Sequence, residues 1–146
     1  MKILLDIDGV MLPLKSWKVP DFLEDGFMKF DTKAIYVLNN ILEKTNAKII
    51  LTTSHKSNYT NEQWIILFKN RNIDAVIETL PKNVDNLSRK DEIINYLDSN
   101  LDDYLIIDDD NQLNTLPNNI KKRLCLTSPL IGLVEEHIEK ILKILS

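Results

Sequence analysis

Short apolar runs alternate with longer segments of helical periodicity along this chain. Five runs are continuously apolar rather than alternating in polarity, which is the pattern of strands buried on both faces of a parallel sheet. They cover residues 3–5, 49–51, 75–77, 104–107 and 124–126. Helical spacing of apolar residues appears in AIYVLNNILEK, NEQWIILFKNR, KDEIINYLDSN and EEHIEKILKIL. The alternation predicts the α/β class: a three-layer Rossmann-like sandwich with a mostly parallel central sheet and right-handed crossovers.

The length of the chain predicts one domain over residues 1–146. A chain of 146 residues can bury a core without disulfides or a structural metal. Residues 10–30, which include Pro13, Pro20 and Gly26, are too irregular for a helix. We expect them to form a flap, a turn plus a small hairpin at the edge of the sheet. The remaining connections are filled by predicted helices and strands, so we expect no large cap domain.

Composition restricts the classes of partner. A net charge of −4 argues against a broad cationic surface for a nucleic-acid backbone, although a small nucleotide site remains compatible with it. The single cysteine, Cys125, provides neither a disulfide framework nor a zinc pattern, which fits a reducing compartment. The first apolar run meets Asp6 and Asp8 too early for a signal peptide. We expect a cytoplasmic protein with no membrane contact and no evident protein partner.

Polar residues follow three of the predicted strands. Asp6 and Asp8 follow the first strand, residues 52–54 (TTS) the second and residues 108–110 (DDD) the fourth. Ligands of open α/β sheets bind outside the carboxyl ends of the strands, where these side chains should meet. Two aspartates beside an apolar strand are costly to bury unless a cation relieves their repulsion. Converging carboxylates and hydroxyls therefore predict a site for a hard cation, of the kind Mg²⁺ favours.

The acidic triplet at residues 108–110 is open to two other interpretations, a calcium-binding loop and a turn. A calcium-binding EF-hand loop starting at Asp108 needs glycine at its sixth position and glutamate at its twelfth. Leu113 and Asn119 stand there, which excludes such a loop. Taken alone, the triplet also suits a turn. Its combination with Asp6, Asp8 and the threonine pair favours the metal site.

The order of these motifs resembles that of the haloacid dehalogenase (HAD) superfamily of phosphotransferases. The matching residues are DIDGV, then IILTTS, then a basic residue that opens a helix, then LIIDDD. The chain is most similar to the small capless branch, the HAD domains of Swiss Army Knife RNA repair proteins. That similarity extends through KDEIINYLDSNLDDYLIIDDD to LTSPLIGLVEEHIEKIL. The resemblance implies a HAD-like fold and a Mg²⁺-dependent phosphomonoesterase that works through an aspartyl-phosphate.

The resemblance also implies catalytic roles. Asp6 matches the nucleophile that attacks phosphorus, and Asp8 matches the general acid/base. Thr53 matches the strand-end hydroxyl that binds a phosphate oxygen. The basic position, which would neutralise both Asp6 and the phosphate, is filled by Lys90 or Arg89, of which Lys90 is favoured.

Metal ligands and substrate contacts follow from the same match. The implied ligands are Asp6, the backbone carbonyl of Asp8 and Asp109, with Asp108 assisting and Asp110 further from the metal.

Substrate contacts are expected from Gly9, Ser54, His55, Lys56 and Arg89. His55 and Lys56 would touch substrate at the mouth of the site, although a loop role for His55 is an equal alternative. Thr52 is one residue out of register and is expected to face the sheet, with a slip of one residue as the alternative.

A capless site is open, which suits large substrates. The expected substrates are phosphorylated molecules, including nucleotide or polynucleotide-end phosphates. The alternative function is a phosphoacceptor that does not turn over, or a binding module with a HAD-like fold. Asp8 distinguishes these functions, because a phosphoacceptor needs no general acid two residues after its nucleophile.

Overall fold

The computed structural model describes residues 1–15, 17–100 and 102–146. Its described residues form a sheet of five parallel strands in the order β3-β2-β1-β4-β5. The strands are β1 (Lys2–Leu5), β2 (Lys48–Leu51), β3 (Ile77–Thr79), β4 (Tyr104–Asp108) and β5 (Leu124–Leu126). The predicted α/β class with a parallel sheet is confirmed.

Helices fill the connections between these strands. They are α1 (Thr32–Thr45), α2 (Asn61–Lys69), α3 (Arg89–Asp98), α4 (Asn118–Lys121) and α5 (Glu136–Leu145). All four predicted helices are present with small shifts at their ends. Helix α4 and the 3-10 helices at Lys56–Asn58 and Asn111–Thr115 were not predicted, because such short elements are too brief to show a period.

Capping residues determine where two of the helices begin. The Ser88 hydroxyl accepts a hydrogen bond from the Asp91 amide at 3.2 Å, so Arg89 is the first residue of α3. Helix α2 begins with a capping box in which Thr60 and Gln63 each bind the other's backbone amide. The cap at Ser88 matters for the site, because it fixes the start of the helix that carries Arg89.

The sheet is covered by helices on both faces. Ile3 and Leu5 of β1 belong to a core cluster that includes buried residues of α1, α2 and α5. Leu4, which points to the opposite face, packs in a second cluster with residues of α3, α4 and the Asn111–Thr115 helix. Burial on both faces explains why the strand sequences are continuously apolar.

The flap, residues 10–30, contains a short hairpin in which Phe22 and Met28 form an antiparallel bridge. Arg71 holds it from the loop after α2: its guanidinium donates to Asp25 and to the carbonyls of Phe27 and Met28. Ser16 lies outside the described residues. No helix in the described ranges has the length and apolar character needed to cross a bilayer.

Candidate active site

The polar residues at the strand ends meet at one edge of the sheet. β1 lies between β2 and β4, so the strand order reverses at β1, and ligands of open α/β sheets bind outside the carboxyl ends of the strands at such a point. Asp6 and Asp8 follow β1, Thr52 and Thr53 follow β2, and Asp108 ends β4. The parallel topology thus brings together segments that lie up to a hundred residues apart in the sequence.

Three carboxylates form the centre of this site. Asp6, Asp108 and Asp109 each offer an oxygen, and these oxygens lie within 4.8 Å of one another. Asp108 is fully buried and Asp6 nearly so. Burial raises the pKa of Asp6 to about 7 and that of Asp108 to about 6, against the opposing effect of Arg89. Burial raises the pKa of Asp109 as well. The cluster therefore binds protons readily and provides hard oxygen donors that suit Mg²⁺.

The two candidates for the direct metal ligand differ in their surroundings. Asp108 Oδ1 accepts the amides of Asp109 and Asp110 at 2.8 and 3.0 Å, and its Oδ2 accepts from Arg89 Nη1 at 2.7 Å. Both oxygens of Asp108 are thus engaged by protein donors. Asp109 is half-buried and lies directly against Gly9. This arrangement favours Asp109 as the ligand and Asp108 as the group that orders the loop.

Of the two basic residues, Arg89 lies in the site. Its Nη1 is 3.4 Å from Asp6 Oδ1 and 2.7 Å from Asp108 Oδ2. Burial disfavours the charged guanidinium, but the carboxylates of Asp108 and Asp6 outweigh this effect and raise the pKa of Arg89. Lys90 forms no ion pair with any carboxylate of the described chain. The structure therefore places Arg89, and not the favoured Lys90, beside Asp6.

The hydroxyl residues after β2 have different environments. Thr53 is fully buried, and its Oγ1 accepts the His55 amide at 3.3 Å, which leaves the hydroxyl proton for another acceptor. Ser54 is exposed.

The Thr52 hydroxyl lies 3.5 Å from both Asp108 Oδ2 and Arg89 Nη1. The expectation that Thr52 faces the sheet is wrong: the strand ends at Leu51, so Thr52 can contact the acidic cluster.

Gly9 makes the tight turn that separates Asp8 from the flap. It has a φ of +77°, and a Cβ atom at this position would overlap the carboxylate of Asp109. Its amide donates to the Leu12 carbonyl at 2.9 Å, and its carbonyl accepts from the Thr127 hydroxyl at 2.7 Å. Thr127, which follows β5, has no motif around it and was not predicted.

Lys56 does not lie at the mouth of the site, contrary to expectation. Its side chain is only 6% exposed, and its ammonium pairs with Glu92 at 3.0 Å. Lys56 is the buried first residue of the 3-10 helix Lys56–Asn58, and the Trp64 indole donates to its carbonyl at 3.1 Å. The ion pair connects the loop after β2 to α3. Glu92 lies one helical turn after Arg89. This spacing is the sequence signal that could have indicated that Glu92 lies near the site.

His55 lies against Asp8. The two side chains meet at 2.8 Å between Nε2 and Oδ2, and each is 30% exposed. The imidazole also packs edge-to-face on Phe27 of the flap, with ring centroids 5.6 Å apart. The His55 imidazole thus contacts Asp8, a candidate catalytic residue, on one side and Phe27 on another.

The match to known proteins covers nearly the whole chain. A family model described as the HAD domain in Swiss Army Knife RNA repair proteins matches residues 2–138, a span that contains every residue of the site described above. Comparison with the curated proteins and with the solved structures gave no match. The order of motifs, the parallel fold and this match agree. The chain therefore belongs to the family of HAD domains found in Swiss Army Knife RNA repair proteins.

Proposed function

We propose that this protein is a Mg²⁺-dependent phosphomonoesterase that works through an aspartyl-phosphate intermediate. The observation that carries the proposal is the surroundings of Asp6. This carboxylate directly follows an apolar strand and lies beside a buried guanidinium and two further carboxylates, and a second aspartate, Asp8, follows two residues later. A carboxylate nucleophile divides hydrolysis into two easier displacements, and a second acid manages the proton in each.

The chemistry uses Asp6 and Asp8 in turn. In the first displacement an Asp6 oxygen bonds to phosphorus, the bond to the leaving oxygen breaks, and protonated Asp8 gives its proton to that oxygen. In the second, ionised Asp8 takes a proton from water, the water oxygen bonds to phosphorus, and the bond to Asp6 breaks. Phosphate leaves, and both aspartates return to their starting states.

Arg89 and Thr53 bind the phosphate group of the substrate in this proposal. Arg89 pairs with Asp6 and offsets the negative charge that accumulates when a phosphate approaches a carboxylate. The Thr53 hydroxyl, buried at the end of β2, has a proton to donate to a non-bridging oxygen. Arg89 is the cation of the proposal because Lys90 lacks such contacts.

The oxygen donors fit Mg²⁺. Asp6, Asp109 and the backbone carbonyl of Asp8 would hold it, and Asp108 would order the loop through the two amides that it accepts. When bound, the ion supplies positive charge that offsets the charge on the transferring phosphoryl group.

The substrate class in this proposal is nucleotide or polynucleotide-end phosphates. The support comes from the RNA repair proteins in which the family occurs and from the flap, where Trp17 and Phe22 are 77% and 58% exposed. Stacking of a base on an aromatic side chain contributes roughly 1–3 kcal/mol. A cytoplasmic location belongs to the same proposal, since the single cysteine, Cys125, is a free thiol.

The test is phosphate release from para-nitrophenyl phosphate, nucleotides, and oligonucleotides phosphorylated at the 3′ or 5′ end. Assays with Mg²⁺ and with chelator are run on the wild type, Asp6→Asn, Asp8→Asn and the exposed control Asp85→Asn. Turnover that needs Mg²⁺, Asp6 and Asp8, and that survives in the control, supports the proposal. A phosphorylated Asp6 without turnover would instead indicate a phosphoacceptor. The absence of both released phosphate and phosphorylated Asp6 would indicate a binding module.

A further inference from the structure

We infer that His55 is a positioning residue for Asp8: its Nε2–H holds one carboxylate oxygen, so that the other oxygen carries the proton to the leaving group. The inference rests on the proposed function and deepens it. It differs from the substrate contact that the sequence suggests for His55, because the partner is the catalytic acid itself.

The contact between the two side chains is short and selective. His55 Nε2 lies 2.8 Å from Asp8 Oδ2, a distance typical of a charge-assisted hydrogen bond. Asp8 Oδ1 has no hydrogen-bond partner among the described residues. The carboxylate therefore has one engaged and one free oxygen. Since Nε2 faces a carboxylate, the tautomer with the proton on Nε2 is the one that fits.

The His55 imidazole packs against a cluster of aromatic residues. Its ring packs edge-to-face on Phe27, and Phe27 packs in turn on Tyr59 and Trp64 at 5.9 and 5.4 Å. Arg71 Nη2 donates to the Phe27 carbonyl at 2.9 Å. These contacts fix the direction of the ring, so the donor reaches Asp8 without a search through rotamers.

The backbone of His55 ties it to the phosphate-binding loop as well. Its amide donates to Thr53 Oγ1 at 3.3 Å. One short turn after β2 thus carries both the hydroxyl proposed to bind the phosphate and the imidazole that orients the acid. The spacing between the acid and the phosphate is then set by this turn rather than by the side chain of Asp8 alone.

Positioning matters because Asp8 is 30% exposed and not enclosed by packing. A proton donor works only within hydrogen-bond reach of the leaving oxygen, and misplacement by about 1 Å costs on the order of 100-fold. In the first displacement the Oδ1 proton moves to the leaving oxygen, and in the second Asp8 takes a proton from water. His55 keeps its own proton through both steps.

Leaving groups provide a readout that separates positioning from general structural support. An alkoxide leaving group, such as the ribose oxygen of a nucleoside monophosphate, needs a proton as its bond breaks. A para-nitrophenolate leaving group is stable as an anion and needs little help. The ratio kcat/KM reports the steps up to the first displacement, before Asp8 acts as a base. Loss of the Nε2 donor should therefore lower kcat/KM by about 10- to 100-fold for the nucleotide and leave kcat/KM for para-nitrophenyl phosphate nearly unchanged.

The experiment compares His55→Phe with His55→Gln. Phenylalanine keeps the ring against Phe27 and removes the donor, whereas glutamine places an amide N–H near the position of Nε2. We expect the selective loss in His55→Phe, substantial recovery in His55→Gln, and wild-type values in the distant control His137→Gln. In the Asp8→Asn background, His55→Phe should cause no further loss, because its target is already gone.

The outcomes separate this inference from the proposed function. If the wild type releases phosphate but His55→Phe lowers kcat/KM equally on both substrates, His55 does not position the acid. Failure of His55→Gln to recover activity, or an additional loss in the Asp8→Asn background, would also overturn the inference. A wild type that turns over none of the substrates would contradict the proposed function, and the role of His55 with it.

Discussion

Gly9 shows how far one residue can be constrained by the site around it. Gly9 and Gly26 both have φ values near +80°, where a side chain adds roughly 1–2 kcal/mol of backbone strain. At Gly26 a Cβ atom would have no neighbour within 4 Å, whereas at Gly9 it would overlap the Asp109 carboxylate. The two glycines are thus matched in backbone conformation and differ in surroundings.

This difference predicts the outcome of two alanine substitutions. Gly9→Ala should displace Asp109 and remove most Mg²⁺-dependent phosphate release. Gly26→Ala should lower the free energy of unfolding by about 1 kcal/mol and leave turnover intact. Urea unfolding and phosphate release measure both. Full activity in Gly9→Ala would show that Asp109 tolerates displacement and is not a metal ligand.

Arg89 and Lys90 form a second matched pair. Both lie in the first turn of α3, so their substitution affects the helix similarly, but only Arg89 contacts Asp6. We expect Arg89→Ala to lower kcat by about 100-fold or more and Lys90→Ala to change it less than about twofold. Steady-state kinetics on one phosphomonoester measure both values. If kcat fell further in Lys90→Ala than in Arg89→Ala, Lys90 and not Arg89 would be the cation of the site.

The sequence allowed some residues of the site to be predicted and not others. Asp6 and Asp8 follow an apolar strand at a fixed spacing, so their place at the sheet edge follows from topology. The choice between Arg89 and Lys90 does not, because neighbouring helical side chains point about 100° apart and the start of the helix depends on the cap at Ser88. Thr127 joins the site by a tertiary contact that no local motif announces.

At the scale of elements, an ion pair and several hydrogen bonds connect the flap to the loop after α2. Arg71 Nη1 lies 2.6 Å from Asp25 Oδ2, and the two side chains are 1% and 14% exposed. The hydrogen bond from Arg71 holds the pKa of Asp25 well below its usual range. Asp25 is therefore ionised in the folded protein at any pH where the chain is ordinarily handled.

The lowered pKa of Asp25 sets the direction of a pH dependence. In the unfolded chain Asp25 titrates near pH 4, roughly its ordinary value, so its stabilising effect is complete above that pH. The effect is lost as the pH falls below about 4 towards the folded pKa. Asp25→Asn should lower the free energy of unfolding by about 3 kcal/mol at pH 7.

Urea unfolding from pH 7 to pH 2 tests this prediction. The difference between wild type and Asp25→Asn should narrow as the pH falls, whereas the exposed control Asp85→Asn should match the wild type at neutral pH. A difference that stays constant across the range would mean that the charge on Asp25 does not stabilise the flap.

Strand β5 carries the single cysteine of the chain. Cys125 is fully buried, and burial raises the pKa of its thiol to about 11. Because the thiolate is the reactive form, the native protein should resist iodoacetamide at pH 8 and react fully in urea. Intact-mass measurement distinguishes the two states. Rapid labelling of the native protein would show that β5 opens readily.

Elements differ in how well the sequence predicts them. Long amphipathic segments such as α1 show several turns of periodicity, and the continuous apolar runs gave strands of the parallel sheet. The third strand begins at Ile77, two residues later than predicted, although the Val76 carbonyl already accepts the Ile49 amide at 2.9 Å. Helix α4, with four residues, is too short to show a pattern.

At the scale of the whole molecule, the sheet order creates the site. β1 and β4 are neighbours in the sheet although about a hundred residues separate them, and their ends carry the three carboxylates. Burial raises the pKa of Asp6 and of Asp108, so keeping both carboxylates ionised in the fold lowers its stability. A cation that binds there should therefore stabilise the entire fold, not only the loops that hold it.

Linkage between binding and folding makes this expectation quantitative. Once the Mg²⁺ concentration exceeds the Kd, each tenfold increase should raise the free energy of unfolding by about 1.4 kcal/mol. The gain should be larger at pH 8 than at pH 6, because burial raises the pKa of Asp6 to about 7 and protons then compete with the metal at the lower pH. Asp109→Asn should lose the effect, and the exposed control Asp85→Asn should keep it.

Thermal unfolding across a Mg²⁺ titration measures this linkage without any substrate. A midpoint that rises equally in Asp109→Asn and in the wild type would place the ion elsewhere on the protein. A midpoint that does not move in the wild type, while chelator still abolishes turnover, would mean that Mg²⁺ enters with the phosphate rather than before it. The sheet edge would then provide only part of the ligand set, and the substrate would complete it.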